Sequence, residues 1–110
     1  MDLGRFSISL TVADLPKARA FYEALGFEQV AGEPEKNWII LQSGEAKIGL
    51  FQGMFEENLM TFNPTDARAI QKAVVAAGYP LMAEAPAGEG PTHFMVKDPD
   101  GNIILFDQHE

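Results

Sequence analysis

The chain has 110 residues, 46% of them apolar, which suits one ordinary domain with a real core and is too apolar for a disordered segment. The absence of cysteine excludes disulfides, thiolate nucleophiles and zinc–thiolate sites. Sixteen acidic against eight basic residues give a net charge of −8, a field that promotes solubility, repels nucleic acid and anionic lipid, and modestly favours cationic ligands.

Residues 5 to 12 alternate strictly: Phe6, Ile8, Leu10 and Val12 point one way, Arg5, Ser7, Ser9 and Thr11 the other. Period two predicts a strand buried on one face. Asp14 is the expected N-cap of a following helix, in which Pro16 is tolerated in the first turn. Leu15, Ala18, Phe21, Tyr22 and Leu25 form its apolar stripe, and Gly26 stops it. Three short strands are expected next, over residues 27–31, 37–42 and 46–52, joined by glycine-containing hairpin loops.

The second half repeats this plan. A strand over 58–63 leads to a cap at Thr65 or Asp66 and to a helix with Ala67, Ile70, Ala73, Val74 and Ala77 facing inward. Gly78 ends it, and strands are expected over about 80–85, 92–97 and 102–107. The intervening "APAGEG" is glycine-rich and reads as a mobile loop. A shift of 52 residues lays Asp14 on Asp66, Gly26 on Gly78 and Phe27 on Tyr79. Matching order with matching stops implies a tandem duplication of a βαβββ unit, module 1 at about 5–52 and module 2 at about 58–108 of one domain, 1–110.

Two segments, "SLTVADLPKARAFYEALGF" and "FMVKDPDGNIILF", resemble the vicinal oxygen chelate superfamily, which includes glyoxalase I, extradiol dioxygenases, fosfomycin-resistance enzymes and bleomycin-resistance proteins. The resemblance spans the whole chain and implies an α+β fold: two tandem βαβββ modules forming a curled mixed sheet around a cavity, with helices outside. Ser7, Ser9 and Thr11 would line that cavity, and the Phe6–Val12 face would pack under a helix.

The resemblance also implies where a metal would be held. Chelating members use side chains from the first and fourth strands of each module, and those positions fall here on Ser7, Gly49, Leu59 and Leu105. A serine hydroxyl is a poor ligand for a divalent ion, and glycine and leucine have no side-chain donor. No cofactor and no metal are therefore expected. "DPDGN" (98–102) reads as a corner between the last two strands. Its glycine comes too early for a calcium loop, and no glutamate follows at the required spacing.

Other residues can still meet a ligand. In "THFMVKD", His93, Met95 and Lys97 share a face, and the resemblance turns His93 and Met95 toward the cavity. Asp107 shares the parity of Leu105, and Lys47 and Phe51 flank Gly49 on its face. Gly49 is either a close-approach glycine that leaves room for a ligand or a weak strand position. Trp38, the only tryptophan, fits a pocket wall and a core strand equally. Met54, Phe55, Met60 and Met82 can soften a pocket or fill gaps. His109, next to the chain end, is expected to be solvated.

These readings imply a metal-free protein of the bleomycin-resistance type that sequesters a cationic or aromatic small molecule, an antibiotic included. The alternative is a lyase or dioxygenase-type enzyme of the same superfamily, or a metal-independent one using His93, Asp107 or Lys47 as acid or base. The ligand-binding set is Ser7, Ser9, Trp38, Lys47, Gly49, Phe51, His93, Met95, Leu105 and Asp107. The resemblance implies a homodimer, and a small domain of two half-sheets gains buried area by pairing. With no long apolar run and no basic leader in "MDLGRFSISL", a cytoplasmic protein without membrane or nucleic-acid partners is expected.

Overall fold

A computed structural model describes residues 1–110. In chain order its elements are β1 (Arg5–Thr11), α1 (Leu15–Ala24), β2 (Glu28–Glu33), a 3-10 turn (Pro34–Lys36), β3 (Trp38–Ser43), β4 (Ala46–Phe51), β5 (Leu59–Asn63), α2 (Ala67–Ala76), β6 (Leu81–Ala83), β7 (Thr92–Lys97) and β8 (Ile103–Gln108). This is βαβββ written twice, an α+β fold, with element ends within about two residues of those expected. Neither helix is long and apolar enough to cross a membrane.

The chain forms two compact units. The first is Ser7–Asn58; the second combines Met1–Phe6 with Leu59–Glu110. In the first unit the strand order is β2-β3-β4-β1, with β1 parallel to β4 and the remaining pairs antiparallel. Leu15 of α1 packs on Ile39, Leu41, Ile48 and Leu50, which form the buried core of this unit. The second unit repeats the order as β5-β8-β7-β6. Beneath α2, Phe62, Phe106 and Phe94 form a cross-strand row, with ring centroids 5.6 and 4.6 Å apart and nearly parallel planes.

The helix ends show the duplication at atomic detail. Asp14 and Asp66 cap α1 and α2 by accepting from the backbone N–H groups of Lys17 (3.1 Å) and Ala69 (3.0 Å). A second acceptor comes from the end of each module's last strand. Gln52 Oε1 accepts from Leu15 N–H and Gln108 Oε1 from Ala67 N–H, both at 2.8 Å. Each helix thus starts with two of its orphan donors satisfied. Both end in a Schellman motif at a glycine with positive φ, Gly26 and Gly78. Phe27 and Tyr79 donate back to the Tyr22 and Val74 carbonyls, and the Phe27 ring packs edge-on against Tyr22.

The structure corrects four expectations. Phe21 and Leu25 are largely exposed, because a ten-residue α1 meets its sheet only along Leu15, Ala18 and Tyr22. Ala77 is likewise exposed, standing at the C-cap beyond the last packed turn of α2. Phe6 does not lie under a helix; it is half exposed and tilts against Phe62 at 5.1 Å. The "APAGEG" loop is tied down by side chains and is not a free segment. Arg68 donates to the Pro86 carbonyl (2.8 Å) and the Gly90 carbonyl (3.0 Å). Gln71 bonds both backbone groups of Ala85, and Gln108 Nε2 donates to Gly90.

The "DPDGN" corner is knitted by one carboxylate. Asp98 accepts from Asn102 Nδ2 (2.8 Å) and from the backbone N–H groups of Asn102 and Asp100 (2.9 Å each). These bonds, the Asn102 side chain first, hold the Asp98 carboxyl below the ordinary carboxylate range. A pKa depressed on folding adds stability that is complete above the unfolded value of about 3.9 and disappears as pH falls through the folded value. Asp98→Ala is therefore expected to lower the melting temperature at neutral pH. The gap to wild type should close below about pH 4, and a gap that widens on acidification contradicts the assignment.

Candidate functional site

Residues opposite one another on neighbouring strands share a sheet face, so the strand register maps the helix-free face of each unit. In the first unit one row runs Glu33–Trp38–Phe51–Thr11, and the next Ala31–Ile40–Gly49–Ser9. Gln42 lies opposite Lys47, beside which alternation along β1 places Ser7. All six first-unit residues predicted to meet a ligand therefore lie on one face. Ser7, Ser9 and Gly49 are buried, while Trp38, Lys47 and Phe51 are half-buried. Trp38 is not core; the buried residues of its strand are Ile39 and Leu41.

The space beside Gly49 is filled from within the unit. A Cβ on this residue would lie 2.5 Å from Phe51 Cε2, 3.1 Å from Phe51 Cζ and 3.1 Å from Ile40 Cδ1. What approaches Gly49 closely is a phenyl ring of the same strand. That ring belongs to an aromatic wall. Trp38 stacks parallel to Phe51 at 6.1 Å, and Phe55 tilts against Phe51 at 5.2 Å. Phe55 is held there because Thr11 Oγ1 donates to its carbonyl (2.9 Å) and Asn58 Oδ1 accepts from Thr11 N–H (2.9 Å).

In the second unit the equivalent row is polar: His93 lies opposite Asp107, and Met95 opposite Leu105. These four predicted residues share the helix-free face of β7 and β8. His93 is exposed, and the other three are half-buried. His109, set aside in the sequence as a chain-end residue, does make contacts. Its Nε2 lies 3.2 Å from Asp107 Oδ2 and 3.3 Å from Asn63 Nδ2, while Asn63 also donates to the Asp107 carbonyl. The sequence signal that could have found this grouping is the i, i+2 parity of Asp107 and His109.

The four family metal positions can be tested on their donors. Ser7 and Gly49 lie on the helix-free face of the first unit, and Leu59 and Leu105 on that of the second, where both are hydrocarbon. No group of three or more histidine, cysteine or acidic side chains is arranged to hold a metal ion. No buried side-chain nitrogen or oxygen is left without a partner. This donor set does not fit a divalent metal, and Phe51 already occupies the ground beside Gly49. A shallow hollow of about 180 Å³ exists elsewhere in the first unit, lined by Leu15, Pro16, Arg19, Pro34, Asn37 and Ile39. None of the predicted residues reaches it.

Comparison with known proteins gives a consistent picture. The sequence profile described as Glyoxalase/Bleomycin resistance protein/Dioxygenase superfamily matches residues 4–106. A search of curated proteins found no match. Among solved structures, a superfamily member from Vibrio splendidus 12B01 is similar with TM-score 0.72 and 21% identity, covering 94% of this chain and 97% of its own. A Legionella pneumophila protein described as NAD-dependent benzaldehyde dehydrogenase reaches 0.79 at 13% identity, over 96% and 99% of the two chains. A variant of Streptomyces coelicolor methylmalonyl-CoA epimerase, bound to 2-nitronate-propionyl-CoA, reaches 0.72 at 18% identity, over 98% and 96%. At these identities the structures establish a shared fold.

Proposed function

Because the chain belongs to the glyoxalase/bleomycin resistance protein/dioxygenase superfamily, we propose that it is a metal-free member that binds and sequesters a small aromatic molecule. The ligand is held against the wall of Trp38, Phe51 and Phe55, with Ser7, Ser9 and Lys47 offering polar contacts, in a cytoplasmic homodimer. The observation that carries this reading is the packing at Gly49: a phenyl ring in an aromatic stack leans over the position at which the family resemblance implies a metal ligand. Flat rings favour such a wall because stacking adds to the area buried.

Trp38 is the only tryptophan, so its emission reports directly on the wall. In a screen of mono- and bicyclic aromatic compounds, a binder is expected to change Trp38 emission saturably and to raise the melting temperature with concentration. Trp38→Ala should weaken that binder about tenfold while leaving the fold intact. If no aromatic compound moves either signal, the reading is wrong. A second reading, a metal-independent enzyme, is favoured by the Asp107–His109 contact, which joins a carboxylate to a group able to carry a proton. Turnover of a bound compound, lost in Asp107→Asn, would select it.

A further inference from the structure

The charge on the wall's own face identifies the ligand class more closely, and this step rests on the binding proposal above. Among residues 7–58, Lys47 is the only cation that the register places on the helix-free face; Arg5 stands on that face of β1 two residues before Ser7, and neither makes an ion pair. The two carboxylates on that face, Glu28 and Glu33, both stand on the edge strand β2. Glu33 is neutralised by Lys36 at 3.0 Å. Glu28 lies two strands from Lys47, roughly 10 Å at the usual strand spacing. Lys47 is half-buried, adjoins Gly49 along β4, and is followed on the same face by the ring of Phe51.

We infer that the ligand is an aromatic anion, a flat ring system bearing a carboxylate or a similar acidic group. Its ring lies against Trp38 and Phe51, and its acidic group meets the ammonium of Lys47, with the hydroxyls of Ser7 and Ser9 on the neighbouring strand. The overall charge of −8 would favour a cation at long range. That field is screened beyond about 10 Å in ordinary salt, whereas a half-buried ammonium acts at contact distance. On this proposal the local charge sets the preference, against the cationic ligand that the net charge favours at long range.

Calorimetric titration with three compounds of one shape separates the possibilities: 2-naphthoate, 2-naphthylmethanol and 2-naphthylmethylammonium. The naphthoate is expected to bind about tenfold more tightly than the ammonium compound, the effect of one charge-assisted hydrogen bond. Lys47→Met and Lys47→Gln should each abolish that preference, and Lys47→Arg should retain it. An ammonium compound that binds as well as or better than the naphthoate overturns the anion assignment and leaves aromatic binding standing. A preference that survives in the Lys47 variants overturns Lys47 as the group that meets the acid. Failure of all three compounds to bind the folded protein overturns the anion assignment and the binding proposal together.

Discussion

Phe94→Ala is expected to lower the unfolding free energy by about 3–5 kcal/mol, the usual cost of truncating a buried phenylalanine. Phe94 has no exposed surface, and its ring stacks on Phe106 at 4.6 Å, continuing through Phe106 to Phe62. Removing it leaves a void at the buried end of a three-ring row between α2 and its sheet, with Ala67 and Ile70 packed in the same cluster. Alanines on the helix cannot collapse to fill such a gap, so the cost should fall near the upper end. Urea denaturation of wild type and variant measures it directly. A loss below about 1 kcal/mol would show that the row contributes little to the second unit's core.

Gly49→Glu is expected to cost about 3 kcal/mol and to create no metal site. The new Cβ must displace the Phe51 ring, which cannot turn away without breaking its contacts with Trp38 and Phe55. The new carboxylate would then sit at a buried position between the uncharged cross-strand neighbours Ser9 and Ile40, with Lys47, two residues away along β4, as the cation on its face. Adding Phe51→Ala should relieve the collision and recover part of the stability. It should still not yield zinc, nickel or manganese binding, because Ser7, Leu59 and Leu105 supply no ligand of strength. Denaturation and metal titration of the single and double variants test both parts. Tight metal uptake by the double variant would mean that the remaining positions chelate better than their chemistry suggests.

Much of this was legible in the chain itself. Period-two alternation located β1 and β7 and assigned the correct faces to Ser7, Ser9, His93 and Met95. The paired stops at Gly26 and Gly78 exposed the duplication. Face parity also placed Lys47, Gly49, Phe51, Leu105 and Asp107 together with their cross-strand neighbours. What parity cannot say is where a ring lies once it leaves the backbone. Phe51 and Gly49 are two residues apart on one face, and only the rotamer decides that the ring leans over the glycine.

Long-range side-chain bonds were equally hidden. Gln52 and Gln108 stand at the same end of the fourth strand in each half, a repeated signal with a repeated role in capping the helices. Arg68 reaching Pro86 and Gly90 converts a glycine-rich loop into an anchored one, and composition carries no trace of that. The exposure of Phe21 has a simpler cause. A helical stripe drawn through five apolar residues was wider than the strip of sheet available to cover it.

The central claim is that this fold holds its guest with rings and hydrogen bonds instead of through a chelated ion. Elemental analysis of the purified protein, after exposure to zinc, iron, nickel and manganese and then gel filtration without chelator, tests it. Metal is expected far below one ion per chain, with Trp38-reported aromatic binding unchanged by chelator. One tightly held ion per chain, whose removal abolishes ligand binding, would contradict it.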